Sequence, residues 1–321
     1  MTAPDATSAS RSHTAREIAS QPECWRHAAT TVSRHVEALP RRGERVAVVG
    51  CGTSWFMALA YAELRERGGH GETDAFAASQ FPLGRRYDRV LAITRSGTTT
   101  EVLDLFGRLR GTVPTTAITA DSSTPIMRMA DTVAVLDHAD ERSVVQTRFA
   151  TTALVLLRAH LEAEGTLPAG VRSTELAAQD AERAVTEPLS APVRAAEQVT
   201  FLGADWTYGL ALEAGLKMRE AAGAWTEAYP AMEYRHGPVS ITAPGRVTWV
   251  FGPAPQGLEE DVARTGGTYV ARSGAAPGDL DPLADLVRAQ RLAVLLAEER
   301  GLDADRPRNL TRSVVLAGDH G

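Results

Sequence analysis

The stretch VAVVGCGTS, Val46 to Ser54, decides the fold. Four apolar residues in a row, Val46 to Val49, read as a strand buried on both faces. They run into Gly50-Cys51-Gly52-Thr53-Ser54, and Trp55 to Glu66 then reads as a helix that stops near Gly68-Gly69. Strand, glycine-rich turn and helix in that order form the anion-binding arrangement of open α/β sheets, because free N–H groups and the helix dipole favour negative charge there. A dinucleotide fingerprint needs a third glycine where this chain has Trp55, whose bulk would block close helix–strand approach. NAD and FAD are therefore not expected. The hydroxyls of Thr53 and Ser54 suit a small polar ligand, or simply cap the helix.

The same plan repeats outward from this point. Arg89 to Ile93 reads as a second strand, followed by Thr94-Arg95-Ser96-Gly97-Thr98-Thr99-Thr100-Glu101 and a helix over Val102 to Leu109. One hydroxyl suffices for an N-cap. Five Ser/Thr residues around one glycine exceed that need and match a phosphate monoester with its three acceptor oxygens. Thr115 to Thr119 and Thr132 to Leu136 read as further strands, with a short helix from Pro125 to Ala130 between them. Glu141 to Arg148 is a polar connection, and Phe149 to Leu161 a long helix. Upstream, Thr14 to His35 carries Ile18, Trp25, Ala28 and Val32 on a helical period.

In the second half, Leu167 to Ala195 reads as mostly helical. Val199 to Gly203 is a strand that enters Ala204-Asp205-Trp206-Thr207 and another helix. Val247 to Gly252 and Thr268 to Ala271 are strands, and Val287 to Arg300 is an amphipathic helix. Strands alternating with helices of this length indicate parallel sheets covered on both faces. The expected architecture is α/β: two tandem three-layer αβα sandwiches of similar plan. The expected boundaries are a disordered tail over 1–15, a first domain over 16–165, a helical linker over 166–195, and a second domain with its C-terminal tail over 196–321.

The helix of the second half carries Glu213, Lys217, Arg219 and Glu220. Lys217 and Glu220 are three apart, so their side chains reach one space. The chain breaks at Tyr229-Pro230 and ends the block in Arg235-His236-Gly237-Pro238. A carboxylate, an ammonium and an imidazole this close are a set for proton transfer, although such spacing also occurs on plain solvated helices. The large aromatics Trp206 and Trp225 read as core or interface, and His320 as part of a disordered end.

Composition bounds the class. The chain has 321 residues and a net charge of -6. An acidic chain without Lys/Arg clusters disfavours nucleic acid as a partner. Cys24 and Cys51 are the only cysteines, too few for a disulfide framework or a zinc site, which points to a reducing, cytoplasmic setting. His138 and His236 lack the spacing of a metal site. No apolar run reaches the roughly 20 residues of a membrane helix, and the first residues lack a signal-peptide core.

Four ordered segments, GCGTSW, ITRSGTTTEVLDL, ALEAGLKMRE…EAYPAMEYRHGP and DRPRNLTRSV, resemble the sugar isomerase (SIS) proteins. The resemblance is specifically to the isomerase half of glucosamine-6-phosphate synthase and its amino-sugar deaminase/isomerase relatives. It covers about Arg16 to Val314 and implies two tandem SIS subdomains. It implies that Thr94, Arg95, Ser96 and Thr99 hold the sugar phosphate, with Cys51, Gly52, Thr53 and Ser54 lining the same pocket and Val145, Gln146 and Thr147 contacting the sugar. It places the base on Glu220, with Lys217 beside it. His236 would come from the neighbouring subunit of a homodimer with shared active sites and help open the sugar ring. Arg312 stands where the synthase has a lysine; it stays protonated and cannot form an imine. Arg95 stands where the synthase has glutamine, either adding charge to the phosphate site or facing away.

The implied activity is a sugar-phosphate isomerase without metal or cofactor. It would act on an amino-sugar phosphate with release of ammonia, through proton transfer between C1 and C2 by a base whose pKa partial burial would raise. About forty residues precede the first strand, too few for a glutaminase domain, so no glutaminase activity is expected. The alternatives are a plain aldose–ketose isomerase and a non-catalytic sugar-phosphate sensor. Such sensors carry a helix-turn-helix domain ahead of the SIS unit, for which the N-terminal segment is too short and not basic.

Overall fold

In the computed structural model, residues 12–274 and 276–316 are described; most of the expected tail and His320 lie outside them. The chain opens with three short helices, α1 (His13–Ala19), α2 (Gln21–Thr30) and α3 (Val32–His35). The single helix expected over Thr14 to His35 is thus broken twice, and residues 13–15 of the expected tail are helical. Pro22 sits in the first turn of α2, where its missing N–H costs nothing but the preceding helix cannot continue through it.

The first sheet takes β1 (Val46–Gly50), β2 (Thr73–Ala77), β3 (Arg89–Ile93), β4 (Thr115–Thr119) and β5 (Thr132–Val135). Between them run α4 (Thr53–Arg67), α5 (Thr100–Leu109) and α6 (Ile126–Met129), and α7 (Arg148–Ala163) follows. The strand order is β2-β1-β3-β4-β5, all parallel. Helices α8 (Thr174–Thr186) and α9 (Ala191–Arg194) lead to the second sheet. It comprises β6 (Gln198–Gly203), β7 (Trp225–Pro230), β8 (Arg246–Phe251) and β9 (Thr268–Ala271), ordered β7-β6-β8-β9 and again parallel. Helices α10 (Trp206–Ala222), α11 (Leu258–Arg264) and α12 (Pro282–Glu299) complete the chain. Two parallel sheets flanked by helices give the expected α/β architecture.

Two strands escaped the sequence reading. β2 and β7 are both edge strands, and most of their residues are only partly buried. Without a second strand neighbour they need no unbroken apolar run, and TDAFA and TEAYP show none. The central strands β1, β3 and β4 are buried throughout. Trp206 is buried as expected, under the Arg158 guanidinium 5.2 Å from its ring. Trp225, expected in the core or an interface, is 50% exposed on edge strand β7 with Arg246 over its ring.

The duplication is visible at one point in each half. A Cβ on Gly50 would lie 2.6 Å from the Ser54 carbonyl carbon, and one on Gly203 would lie 2.3 Å from the Thr207 carbonyl oxygen. Each glycine therefore lets the first helical turn close over its strand end. The next residue but one has positive φ in both halves, Gly52 at 55° and Asp205 at 53°. The halves share one core, in which α4 packs on α10 and α10 on α12. Gly209 of α10 meets Phe56 of α4 so closely that a Cβ would fall 2.4 Å from its carbonyl oxygen. That close approach brings the end of β1 beside the C-terminal half of α10.

At the far end of α4, His70 and His160 face each other edge-on, 5.3 Å between ring centres. Both are buried, and neither His70 nitrogen has a hydrogen-bond partner among the described residues. Burial, then the neighbouring Arg65 and His160, pushes His70 down to about 4 against the pull of Glu164. A histidine depressed in the fold and normal when unfolded leaves stability intact above about pH 6.5 and erodes it as pH falls toward the folded value. The chain is expected to lose about 2 kcal/mol on this account between pH 6.5 and 4. His70→Phe should flatten the fall of melting temperature over that window; parallel curves for the two proteins would rule the explanation out.

Candidate active site

The C-terminal ends of β1 and β3 open into one cleft with about 200 Å³ of internal space. Its floor is built from the two turns that follow those strands. Cys51, Gly52, Thr53 and Ser54 come from the first, and Thr94, Arg95, Ser96 and Thr99 from the second. Glu220 of α10 closes one side, and Gln146 with Val144 another. The segment Leu310 to Val314 lines the cleft as well.

The turn after β3 gathers several hydroxyls at the start of α5. Thr98 N–H donates to Ser96 Oγ at 3.2 Å, and Ser96 Oγ lies 3.5 Å from Thr99 Oγ1. Thr99 precedes α5 without a side-chain cap bond, so its hydroxyl is not spent on the helix. Gly97 has φ 61°, and a Cβ there would sit 2.1 Å from Thr124 Oγ1, so glycine is required in both conformation and space. Two donors in the cleft, Thr94 Oγ1 and Gln146 Nε2, are buried without a partner among the described residues. Buried polar groups are nearly always satisfied, so orphans facing a cleft mark where a polar ligand completes the site.

Arg95 does not add a free charge to this turn. It is buried, lies 3.5 Å from Glu141 Oε2, and donates to the carbonyls of Ser143, Val144 and Arg312 at 3.2, 3.1 and 3.0 Å. Arg312 in turn donates to Asp140 Oδ1 and to the Glu141 carbonyl. The two departures from the synthase pattern are therefore partners in one network that ties the turn after β3, the loop Asp140 to Val144 and the C-terminal segment together. Thr98 Oγ1 and Ser313 Oγ, 2.9 Å apart, and Thr100 N–H donating to Val314 O at 3.1 Å add to the same attachment.

On α10, Lys217 is buried and donates to Thr53 Oγ1 at 2.9 Å and to Glu220 Oε2. Its ammonium also lies 3.5 Å from Glu213 Oε1, one turn back and wholly buried. Burial opposes the ammonium, yet the Glu213 and Glu220 carboxylates outweigh it and hold Lys217 above its usual value. Burial pushes Glu213 up to about 8 despite Lys217. Burial thus raises Glu213, one turn before Glu220, and also Glu141, against the pull of Arg95. For Glu213, the spacing of four from Lys217 was the available signal. Cys51 is pushed up to about 11 by burial and then by Glu101, so it lines the site as a neutral thiol.

Of the stretch Val145 to Thr147, only Gln146 lines the cleft. Val145 is packed inside, and Thr147 gives its N–H and hydroxyl to Glu141 Oε1 at 2.6 and 2.8 Å. His236 ends a 3-10 turn, Glu233–His236, and is exposed; it does not line the cleft of its own chain. Among the described residues no group of three His, Cys, Asp or Glu side chains is placed to hold a metal ion, and no helix is long and apolar enough to cross a membrane.

No family model matches the chain. It is similar to glutamine–fructose-6-phosphate aminotransferase (isomerizing) of Gloeobacter violaceus, at 30% identity over 85% of this chain and 52% of that protein. The homologue of Leifsonia xyli subsp. xyli is 27% identical over 97% of this chain and 61% of its own length. The chain spans about half the length of the curated relatives it matches first. Among solved structures, a glucosamine-6-phosphate deaminase from Thermotoga maritima superposes with TM-score 0.77 at 25% identity, covering 95% of this chain and all of that one. A tagatose-6-phosphate ketose/aldose isomerase from Escherichia coli shares the fold at TM-score 0.74 and 18% identity, covering 98% and 99% of the two chains. The four sequence segments, the paired parallel sheets and these likenesses agree: the chain has the two-sheet fold of the sugar isomerase (SIS) proteins and is similar in sequence to glutamine–fructose-6-phosphate aminotransferase (isomerizing).

Proposed function

We propose that this chain is a sugar-phosphate isomerase that acts on an amino-sugar phosphate and releases ammonia. The observation that carries the reading is one cleft lined both by a hydroxyl-rich helix-start turn and by Glu220, whose carboxylate accepts from the buried Lys217. The phosphate takes Ser96, Thr99 and the unpartnered Thr94 hydroxyl. Gln146 faces the sugar. Glu220 moves the proton between C2 and C1. Lys217 holds that carboxylate in place and, with Thr53, keeps it next to the first turn. The C2 imine formed by this shift is hydrolysed by water, which gives the ketose phosphate and ammonia. The exposed His236 belongs to the site of a second copy in a homodimer, where it assists ring opening. Arg312, held to Asp140, acts as a fixed cation and anchor for the C-terminal segment rather than as an amine.

The test is direct. Purified protein given glucosamine 6-phosphate is expected to release ammonia and ketose phosphate in equal amounts. Ketose formation only from neutral aldose phosphates would make it a plain isomerase. Tight binding across the panel with no product from any member would replace the enzyme by a sensor.

A further inference from the structure

The cleft does not end at Glu220. On its far side lies a second hollow of about 260 Å³, bordered by Glu220, Arg219, Leu302, Arg306, Arg308 and Asn309. The two spaces share the Glu220 carboxylate and one continuous wall, since Leu302 to Asn309 runs directly into Leu310 to Val314. If the phosphate lies on the Thr94–Thr99 turn and the reacting carbons at Glu220, a group attached at the C2 nitrogen projects past Glu220 into this hollow.

The second hollow is built for negative charge. The side chains of Arg306 and Arg308 make no ion pair or hydrogen bond among the described residues. The two acidic groups at its edge are already engaged: Glu220 with Lys217, and Asp303 Oδ1 with the Asp305 N–H at 2.9 Å. Arg219 is anchored on Thr226 through one terminal nitrogen at 2.9 Å, which fixes a third guanidinium at the rim. Elsewhere near the site arginines are spent on internal partners, as Arg95 and Arg312 are. Two unspent guanidinium forks beside a cavity are suited to a carboxylate, which they bind through paired N–H donors.

We propose that this hollow is a second anionic subsite, and that the chain takes an amino-sugar phosphate whose nitrogen carries a substituent ending in a carboxylate, so that hydrolysis at C2 releases the corresponding amino acid where the unsubstituted sugar releases ammonia. The inference rests on the sugar-phosphate reading above and names its substrate class. Arg306 and Arg308 are the residues that would select the substituent; Glu220 lies between the two anion sites.

Titration calorimetry with two ligands that differ in one group tests it: N-carboxymethyl-glucosamine 6-phosphate and its N-carbamoylmethyl counterpart. The acid is expected to bind about tenfold more tightly than the amide, a gain limited by the exposure of both arginines. In Arg306→Gln/Arg308→Gln the ratio of the two dissociation constants should fall to about one. Equal affinities in the unaltered protein, or an acid preference that survives in the double variant, would overturn the subsite. Glucosamine 6-phosphate serves as the reference. If it binds and the acid has no advantage, only the subsite fails; if none of the three binds, the sugar-phosphate reading fails and takes the subsite with it.

Discussion

Glu220→Gln is expected to lower turnover of the amino-sugar phosphate by roughly a thousandfold while leaving its binding within a few-fold. The carboxylate lines the cleft and is held by the Lys217 ammonium. Glutamine keeps the shape and can still accept from Lys217, but it carries no proton between carbons. The loss therefore belongs in kcat, with exchange of the C2 proton against deuterated solvent abolished in parallel. The turn proposed to hold the phosphate, with Ser96 and Thr99, is a different one and is not altered. Turnover within threefold of the unaltered protein would remove Glu220 from the base role and turn attention to Glu213, a neighbouring carboxyl raised by burial.

Lys217→Met should cost about 3 kcal/mol of stability and lower the melting temperature by several degrees, because removing one member of a buried charge group strands the others. Lys217 is buried between Glu213, Glu220 and Thr53, with Glu213 wholly inside. Methionine fills the space but leaves Glu213 with no cation to offset its burial. That carboxyl, already pushed up to about 8 with Lys217 present, is pushed higher still, so the fall of melting temperature between pH 5 and pH 8 should be steeper in the variant than in the unaltered protein. The double variant Glu213→Gln/Lys217→Met removes both charges and is expected to recover a good part of the loss, the signature of two residues that are energetically coupled. Equal melting temperatures for Lys217→Met and the unaltered protein would mean that the ammonium contributes nothing net. Additive losses in the double variant would mean that Glu213 and Lys217 do not act on each other.

The resolved positions of Arg95 and Arg312 change how this chain differs from the synthase pattern. Read singly, each is a substitution at a ligand position. In the fold they are one device: Arg95 donates to the Arg312 carbonyl at 3.0 Å, and both close on the Asp140–Glu141 corner. Their charge is used to fasten the C-terminal segment beside the cleft, which leaves Arg306 and Arg308 a few residues upstream as the unspent cations of that segment.

Much of this was legible in the chain itself. The runs at Val46, Arg89, Thr115, Val199 and Val247, rich in apolar and β-branched residues and bounded by turn signals, indicated buried strands. Glycine at the strand ends and the hydroxyl cluster after Ile93 specified the anion-binding turns, because backbone conformation and N–H availability are local properties. The spacing of Glu213, Lys217 and Glu220 put three charges on one helix face. Edge strands β2 and β7 were not legible, because partial exposure removes the apolar signature. Nor was the choice of Gln146 over its neighbours Val145 and Thr147, which depends on Glu141 capturing Thr147. Above all, no local pattern could bring residues as far apart as Arg95 and Arg312, or Thr53 and Lys217, into contact. Those meetings depend on how α4 packs against α10 and where the C-terminal segment comes to rest. The sequence by itself therefore determined the elements and the chemistry of each turn, whose causes lie within a few residues. Only the tertiary structure decided which charges are spent and which remain free for a ligand, because pairing depends on neighbours that the chain order does not name.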